Sequence, residues 1–484
     1  MKLHALLKNI EVLQTIGETD KKITVLSQDT RDSDMTNGLY FAVKGTQVDG
    51  HDFIDNAIEK GAIAIICEDV PEDIHDSVTY IKVTSVQPIV GAIASVFYGN
   101  PSEKVKIIAV TGTNGKTSVA TFMSQALQNL GAATLLLSTA GDYYVGSKVD
   151  IHRKAPSSLE TIELHRVLKF YADIGMKYCC LEATSIGLDQ HRLAGLDIDI
   201  AMFTNLADDH LDYHGTMNKY AEAKKKLFDN LKESALAITY NDDQYGSFMV
   251  SDTTAIVKSI GRGIDSDYQI AVMKSSLSGL EIAINEYNIK VPVVGDFNAI
   301  NIALVFAALL QSSYEPKKVI KSLSQIQGVP GRMQMVANDK KILAIVDYAH
   351  SSDALVNVLN TLKNIPHKNI ITVIGCGGDR DRSKRAPMAQ VSQQNSEMVI
   401  YTSDNPRTES LQQIFDDMKQ GVDINNDNYV FLESREEAIA KAVELANKED
   451  IILVAGKGHE DYQIIGTTKT HFDDVEILEK YLTK

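Results

Sequence analysis

Residues 110–118 read Val-Thr-Gly-Thr-Asn-Gly-Lys-Thr-Ser, and this stretch decides how the chain around it folds. A β-branched, apolar run at 105–110 precedes it, and apolar residues at helical spacing follow over 119–130. The pattern predicts a strand, a glycine loop and a helix. In such a loop backbone N–H groups approach phosphate oxygens, Lys116 reaches the outer phosphates, and the Thr117 hydroxyl binds Mg²⁺.

Val110 stands where the common phosphate-loop pattern has its first glycine, so an ordinary strand-to-helix turn is the alternative. The preceding strand and following helix favour nucleotide phosphate binding instead. The residues of this predicted loop are Gly112, Thr113, Asn114, Gly115, Lys116, Thr117 and Ser118.

Length and composition bound the class of protein. The 484 residues correspond to about three domains of roughly 150 residues each. A formal net charge of -16 argues against a general nucleic-acid or anionic-membrane partner, because both need a basic field. No apolar run reaches the ~20 residues that span a bilayer, and residues 1–13 lack the apolar core of a signal peptide. The four cysteines form no C-x-x-C pair. We expect a soluble, cytoplasmic protein with reduced cysteines.

Alternating strand-like and helix-like segments predict an α/β fold in three units. Residues 1–104 form a small α/β module, in which the early Asp29-Thr30-Arg31 loop is as consistent with a turn as with a ligand site. The central unit, 105–328, contains the phosphate loop. A glycine- and proline-rich segment at 327–331 marks the boundary to the third unit, 329–484.

Four residues of the central unit are candidates for the nucleotide site. Glu182 ends a predicted strand at 178–182, and His210 follows one at 198–203, so they are either metal ligands at the sheet edge or solvated and capping residues. Lys224 shares a helix face with apolar neighbours and points inward. Asn298 opens an apolar helix, and the sequence favours a helix N-cap over a contact with a base.

The third unit repeats one pattern four times. Apolar runs at 342–346, 370–374, 398–401 and 451–454 each end in a polar cluster. In a parallel sheet these clusters meet at one edge, where ligands bind. Arg380 and Arg407 suit a carboxylate, whereas Asp404 and Glu460 suit an ammonium group, so the pattern predicts an amino acid as ligand.

Taken together, the motifs resemble those of the Mur ligase family, the ATP-dependent amide-forming ligases of peptidoglycan precursor synthesis. Besides the phosphate loop they are Glu182-Ala183-Thr184-Ser185, Asp209-His210-Leu211-Asp212-Tyr213-His214, Ala223-Lys224, Gly331-Arg332, Asp347-Tyr348-Ala349-His350 and Gly377-Gly378-Asp379-Arg380-Asp381. The resemblance implies an N-terminal UDP-binding domain (1–104), a central ATP-binding domain with a P-loop and a parallel sheet (105–328), and a C-terminal Rossmann-like, amino-acid-binding domain (329–484).

The resemblance also implies roles for single residues. Lys116, Lys224 and His210 are the expected catalytic residues. Mg²⁺ is expected on Thr117, Glu182, His210 and Lys224, the last as a carbamate formed with CO₂. ATP is expected on the phosphate loop and on Asn298, Arg332 and Asp347. The UDP-muramoyl dipeptide is expected on Thr30, Thr46, Gln47, Ser157, Ser158, Thr184, Gln190 and Arg192. Diaminopimelate is expected on Arg380, Asp404, Asn405, Pro406, Arg407, Gly456 and Glu460.

Within the family, Asp404-Asn405-Pro406-Arg407 resembles the motif of members that add meso-diaminopimelate to UDP-N-acetylmuramoyl-L-alanyl-D-glutamate. The expected reaction is an ATP-dependent ligation through an acyl phosphate, carried out by a cytoplasmic monomer. A lysine-adding Mur ligase, a folylpolyglutamate synthetase-like enzyme and an ATP-binding protein without catalysis are the alternatives. Lysine lacks the distal carboxylate of diaminopimelate and would leave Arg407 without an anion.

Overall fold

The structure is a computed structural model that describes residues 1–31, 34–45, 48–151, 153 and 158–483. Sheets of five, 11 and six strands follow one another along the chain as the cores of an N-terminal, a central and a C-terminal unit. Helices pack against these sheets, so the α/β prediction is confirmed. In the part of the chain that the structure describes, no helix has the length and apolar character needed to cross a membrane.

The N-terminal unit is built on the five-stranded sheet, in the order β1-β5-β4-β3-β2, with only the β1–β5 pair antiparallel. Its strands are β1 Gln14–Ile16, β2 Val25–Ser27, β3 Gly38–Phe41, β4 Ala62–Cys67 and β5 Thr79–Lys82. Its helices are α1 Leu3–Leu6, α2 Ile54–Glu59 and α3 Gln87–Phe97, with 3-10 turns at Gly50–Phe53 and Pro101–Glu103. Helix α3 packs on the central unit.

The central unit carries the phosphate loop after an inner strand of its sheet, β6. The strands are β6 Lys106–Thr111, β7 Thr134–Ser138, β8 Gly141–Tyr144, β9 Ser147–Val149, β10 Tyr178–Glu182, β11 Ile200–Phe203, β12 Leu236–Tyr240, β13 Ile256–Gly261, β14 Tyr268–Ser276, β15 Gly279–Ile284 and β16 Tyr287–Val291. The helices are α4 Lys116–Asn129, α5 Thr161–Asp173, α6 Ser185–Asp189, α7 Leu211–His214, α8 Met217–Asp229, α9 Gly246–Met249, α10 Asn298–Gln311 and α11 Pro316–Leu323.

Strands β7, β10, β6, β11, β12, β13 and β14 are parallel neighbours in that order, with antiparallel strands at both edges. Because parallel strands end at one edge, the loops after β6, β7, β10 and β11 lie together. Strand β6 pairs with β10 in the register Val110↔Glu182. Helix α10 is almost wholly buried beside α4, which explains its nearly unbroken apolar sequence.

The C-terminal unit has the order β17-β18-β22-β19-β20-β21, parallel except for β17. The strands are β17 Gln334–Val336, β18 Leu343–Asp347, β19 Ile370–Cys376, β20 Met398–Ser403, β21 Tyr429–Phe431, β22 Ile451–Ala455 and the hairpin β23 Tyr462–Ile465 and β24 Thr468–His471. The helices are α12 Ser352–Lys363, α13 Arg385–Gln394, α14 Leu411–Lys419, α15 Arg435–Leu445 and α16 Asp474–Leu482, with a 3-10 turn at Arg382–Lys384. The four predicted apolar runs are strands of one parallel sheet, so their polar clusters share an edge.

Two predictions about helix starts differ from the structure. Helix α4 begins at Lys116 rather than at 119, because Gly115 adopts the left-handed conformation (φ +86°) and the next residues form the first turn. The predicted N-cap role of Asn298 is wrong. Phe297 is the N-cap of α10, and the Asn298 amide donates to the Val294 carbonyl (2.7 Å) while its oxygen accepts from Asn301 (2.8 Å).

Candidate functional site

The phosphate loop is fixed by two glycines that no other residue can replace without a clash. A Cβ on Gly112 (φ +149°) would lie 1.9 Å from the Thr204 hydroxyl oxygen, and one on Gly115 would lie 2.6 Å from Asn301 Oδ1. The loop after β11 also holds Asn114, whose N–H donates to Asn205 Oδ1 (3.0 Å). Gly112 and Gly115 therefore bring the loop into close contact with its neighbours, as a phosphate-binding backbone requires.

Two lysines converge on one carbonyl of this loop. Lys116 Nζ donates to the Gly112 oxygen (3.0 Å) and to the Thr113 oxygen (2.7 Å), and Lys224 Nζ donates to the same Gly112 oxygen (2.7 Å). Lys224 is 1% exposed and lies 4.5 Å from the Tyr220 ring centroid, so its predicted inward position is confirmed. Burial lowers the pKa of Lys116, and burial together with the charge of Lys116 holds the pKa of Lys224 well below its usual value. Two buried lysines this close together favour either a bound anion or a chemical change that removes one of the two positive charges.

Glu182 is oriented by Thr139, the residue directly after β7. Both the N–H (2.8 Å) and the hydroxyl (3.2 Å) of Thr139 donate to Glu182 Oε1. The Thr139 hydroxyl is also 3.2 Å from the Thr117 hydroxyl. Within the described residues Oε2 of this buried carboxylate accepts no hydrogen bond, so it is free to bind a cation. The structure thus connects two predicted metal ligands, Thr117 and Glu182, through a residue that the sequence analysis did not identify.

His210 sits at the start of α7 with a left-handed backbone (φ +53°). Burial lowers the pKa of His210 to about 4. The Asp209 charge opposes this shift, whereas the charges of three lysines, including Lys116 and Lys224, add to it. The imidazole is therefore neutral at pH 7 and can bind a metal. Across residues 1–31, 34–45, 48–151, 153 and 158–483 no group of three His, Cys, Asp or Glu side chains forms a metal cluster. This donor set suits Mg²⁺, which is held by few protein ligands and keeps several waters.

The C-terminal unit reaches the phosphate loop through Arg332. Its Nη2 donates to the Thr117 hydroxyl (3.4 Å), and its guanidinium carbon lies 4.2 Å from the Tyr348 ring centroid. Asp347 is buried, and both of its carboxylate oxygens accept backbone N–H groups, from Met333 (2.7 Å) and Ala349 (2.8 Å). Burial raises the pKa of Asp347. Asp347 therefore holds the loop that carries Arg332.

A cavity of about 970 Å³ opens between the N-terminal and central units, large enough for a sizeable organic ligand. Thr30 and Gln190 line it, and Gln28 Nε2 bridges the two units by donating to Glu160 (3.0 Å). Beside it, Arg192 donates to the Ser158 carbonyl (3.1 Å) and Gln190 Oε1 (2.8 Å), and the Ser158 and Thr184 hydroxyls are 3.0 Å apart. The structure therefore brings these predicted dipeptide residues together, while Thr46, Gln47 and Ser157 lie outside the described residues.

The predicted amino-acid residues meet at the edge of the C-terminal sheet. Asn405 is buried and donates to Glu460 Oε2 (2.8 Å), and a Cβ on Gly456 would lie 2.9 Å from Asp404 Oδ2. Burial and the Asp404 charge raise the pKa of Glu460, an effect that Lys457 opposes. Two carboxylates in this position fit an ammonium group.

Arg380 and Arg407 flank Gly377 at the same edge. A Cβ on Gly377 would lie 3.1 Å from Arg407 Nη1 and 3.6 Å from Arg380 Cγ. Arg407 Nη1 donates to the Gly378 carbonyl (2.7 Å), which fixes the guanidinium, and a Cβ on Gly378 would lie 1.9 Å from the Pro406 oxygen. Among the described residues, Arg407 Nε and Nη2 have no hydrogen-bond acceptor. These two donors are available for a carboxylate.

Sequence reasoning missed three further residues at these sites. Thr139 follows a strand of the central sheet, so the rule that ligands bind beyond strand ends would have found it. Lys457 is fully buried within the predicted polar cluster that follows the apolar run 451–454, where it contacts Glu460 (3.3 Å). Lys384 of the C-terminal unit pairs with Asp209 of the central unit, a contact that no local pattern signals.

Family models match most of the chain. The model described as Mur ligase family, catalytic domain, matches residues 32–98; the Mur ligase middle domain matches 110–309; and the Mur ligase, glutamate ligase domain, matches 331–458.

Relatives are similar over nearly the full length. A protein of Phocaeicola vulgatus is 40% identical over 481 residues and one of Bacteroides thetaiotaomicron is 41% identical over 483, with 99% of both chains covered in each case. A protein of Lactiplantibacillus plantarum is 41% identical over 475 residues, covering 96% of this chain and 94% of its own. All three are named UDP-N-acetylmuramoyl-L-alanyl-D-glutamate--2,6-diaminopimelate ligase.

Solved structures share the fold. One described by that same enzyme name has a TM-score of 0.70 at 32% identity and covers 100% of this chain and 98% of its own. The MurF ligase of Thermotoga maritima in complex with ADP has a TM-score of 0.61 at 17% identity, covering 94% of this chain and 96% of its own. The folylpolyglutamate synthase of Mycobacterium tuberculosis with ADP has a TM-score of 0.63 at 16% identity, covering 77% and 92%.

Proposed function

The chain belongs to the Mur ligase family, and we propose that it joins meso-diaminopimelate to UDP-N-acetylmuramoyl-L-alanyl-D-glutamate at the expense of ATP. The observation that carries this proposal is the edge of the C-terminal sheet, where two donors of Arg407 have no acceptor among the described residues and lie beside the acidic pair Asp404 and Glu460. Diaminopimelate offers an ammonium group and a distal carboxylate, and L-lysine lacks the latter. The names of the full-length relatives support the same substrate.

The phosphate loop is the proposed site of the ATP phosphates, with Lys116 on the γ-phosphate. An oxygen of the D-glutamyl γ-carboxylate attacks the γ-phosphorus, the bond to the β-phosphate oxygen breaks, and ADP leaves. The acyl phosphate that forms is attacked at its carbonyl carbon by an amine nitrogen of diaminopimelate, which gives up a proton as inorganic phosphate leaves. Lys116 stabilises the charge that spreads over the phosphoryl oxygens.

Thr117, Glu182, His210 and Lys224 are the residues we propose for Mg²⁺. When bound, Mg²⁺ supplies charge neutralisation for the phosphoryl group. The contacts of Thr139 hold Glu182 with one oxygen free, and the low pKa of His210 keeps its imidazole neutral. Burial favours the neutral amine of Lys224, the form that reacts with CO₂, and a carbamate there would place an anion beside Lys116.

We propose the cavity of about 970 Å³ between the N-terminal and central units for the UDP end of the substrate. We propose Thr30 for the uridine end, and Ser158, Thr184, Gln190 and Arg192 for the muramoyl peptide. The boundaries at 104/105 and 328/329, the monomeric state and the cytoplasmic location stay predictions.

The test is release of inorganic phosphate by the purified chain with Mg-ATP, the UDP-dipeptide and one amino acid: meso-diaminopimelate, L-lysine or L-ornithine. We expect turnover only when all substrates are present, and mainly with meso-diaminopimelate. Equal rates with the three amino acids would contradict the proposed role of Arg407, and turnover with L-lysine alone would make the chain a lysine-adding ligase. No amino-acid-dependent release would favour a binding protein. Lys116→Ala is the matched inactive control.

A further inference from the structure

A buried ion pair lies directly beneath the amino-acid site, and its role is not explained by the reaction. Arg435 and Asp474 are each 0% exposed and begin the helices α15 and α16. Their contact is bidentate: Arg435 Nε donates to Asp474 Oδ1 (2.8 Å) and Nη2 donates to Oδ2 (2.7 Å). A buried pair of this kind adds little net stability, because the cost of removing both charges from water offsets their attraction. Stability alone therefore does not account for it.

The guanidinium also binds two strand ends. Arg435 Nη1 donates to the carbonyl of Ser403 (3.3 Å), and Nη2 donates to the carbonyl of Ala455 (3.0 Å). Ser403 is the last residue of β20 and Ala455 the last of β22, on either side of β19. The next residues in the chain are Asp404 and Gly456, the first members of the two segments that form the amino-acid site.

The charge of Arg435 belongs to the same site. Asp474, Asp404 and Glu460 together outweigh the effect of burial and raise the pKa of the guanidinium. Arg435 thus provides a fixed positive charge behind two carboxylates that lie close together.

Resting on the function proposed above, we infer that Arg435, held by Asp474, is a positioning residue that sets the spacing between Asp404 and the 456–460 segment and so determines affinity for the amino acid. Arg435 touches no substrate in this scheme; it acts through the two backbone carbonyls. The phosphate loop and the UDP-dipeptide residues lie in the other two units, so we expect the affinities for ATP and for the UDP-dipeptide to change much less.

The test compares Arg435→Met with the double variant Arg435→Met/Asp474→Leu. The single variant leaves a buried, unpaired carboxylate and should unfold at a lower temperature. The double variant replaces the whole pair with apolar groups of similar volume, which usually restores stability. We expect the double variant to recover most of the wild-type melting temperature while its KM for the amino acid is at least about tenfold higher, because small displacements of binding groups have large effects. KM for ATP and for the UDP-dipeptide should stay within about twofold.

A wild-type KM for the amino acid in the folded double variant would overturn the inference, and so would an equal rise of all three KM values. If the double variant does not fold, Arg435→Lys is tested instead, because lysine keeps the charge but cannot reach both carbonyls and Asp474 at once. A wild-type KM for the amino acid in Arg435→Lys would equally overturn the inference that Arg435 is a positioning residue. Leu478→Ala, a buried apolar change one turn after Asp474 in α16, controls for lost stability and should leave KM unchanged. Wild-type enzyme without amino-acid-dependent turnover would refute the proposed function itself, a result separate from all of these.

Discussion

Replacing Arg407 with alanine should destroy selectivity for the distal carboxylate more than it impairs the reaction. The backbone of residue 407 is left-handed (φ +53°), a conformation about as costly for alanine as for arginine, so the change adds little backbone strain. It removes the two donors that have no protein acceptor in the described residues, Nε and Nη2.

The size of the effect follows from those two donors. Hydrogen bonds to a charged group contribute about 1.5–3 kcal/mol each, and the half-buried position of Arg407 lowers the sum to about 2–4 kcal/mol. The corresponding fall in kcat/KM for meso-diaminopimelate is roughly 30- to 1,000-fold. L-Lysine has no distal carboxylate, so its kcat/KM should change by less than about threefold.

The assay is phosphate release at varied amino-acid concentration for both amino acids. Arg382→Ala is the matched control, because it removes an exposed arginine of the same unit that pairs with Asp417 instead of facing the site. Its selectivity should equal that of the wild type. If Arg407→Ala lowers kcat/KM for both amino acids by the same factor, Arg407 supports the loop through its Gly378 contact and does not bind the carboxylate.

Three further predictions concern the rest of the machinery. Lys224→Ala should abolish phosphate release, and a short carboxylic acid such as acetate should restore part of it; full activity without the acid would rule out the carbamate. Gly331→Ala should lower kcat/KM at least about tenfold while circular dichroism stays unchanged, because its methyl group would lie 2.1 Å from the His459 nitrogen; Gly263→Ala, which meets no atom within 4 Å, is the control. Asp417→Asn should lower the melting temperature by about 2–4 °C at pH 7, since a hydrogen bond from Arg382 lowers the pKa of Asp417 to about 2. The lowered pKa means that Asp417 stabilises the fold at pH values above its unfolded-state pKa of about 3.9, and this stabilisation is lost as the pH falls towards 2. The difference in melting temperature between the variant and the wild type should therefore shrink by about pH 2.5.

Local sequence patterns were sufficient for the fold class and for much of the site. Strand ends are signalled by apolar runs that stop at polar residues, and parallel pairing then brings those ends to one edge. That reasoning placed Glu182 at the end of β10 and Asp404 after β20, and the structure has both there. The inward position of Lys224 followed from helical spacing alone.

What sequence reasoning missed depends on contacts between distant segments. The wrong N-cap for Asn298 arose because residue type favours a cap, whereas the buried start of α10 offers the amide a carbonyl at Val294 instead. Lys384 meets Asp209 only after the central and C-terminal units have packed together. Arg435 and Asp474 each look like ordinary first-turn residues of helices, and only the packing of α15 on α16 makes them a pair.

The contacts at 331–332 connect the two ends of the proposed reaction. Arg332 donates to Thr117 on the phosphate loop, while a Cβ on the adjacent Gly331 would overlap the backbone at His459, next to Glu460. If nucleotide binding displaces Arg332, we expect the displacement to pass through one peptide bond to Gly331 and to the backbone beside Glu460. Because such coupling is reciprocal, we then expect a bound amino acid to change the affinity for nucleotide by the same factor by which the nucleotide changes the affinity for the amino acid. In the proposed reaction the phosphate loop holds the phosphoryl end of the chemistry, and these two consecutive residues connect it to the proposed amino-acid site.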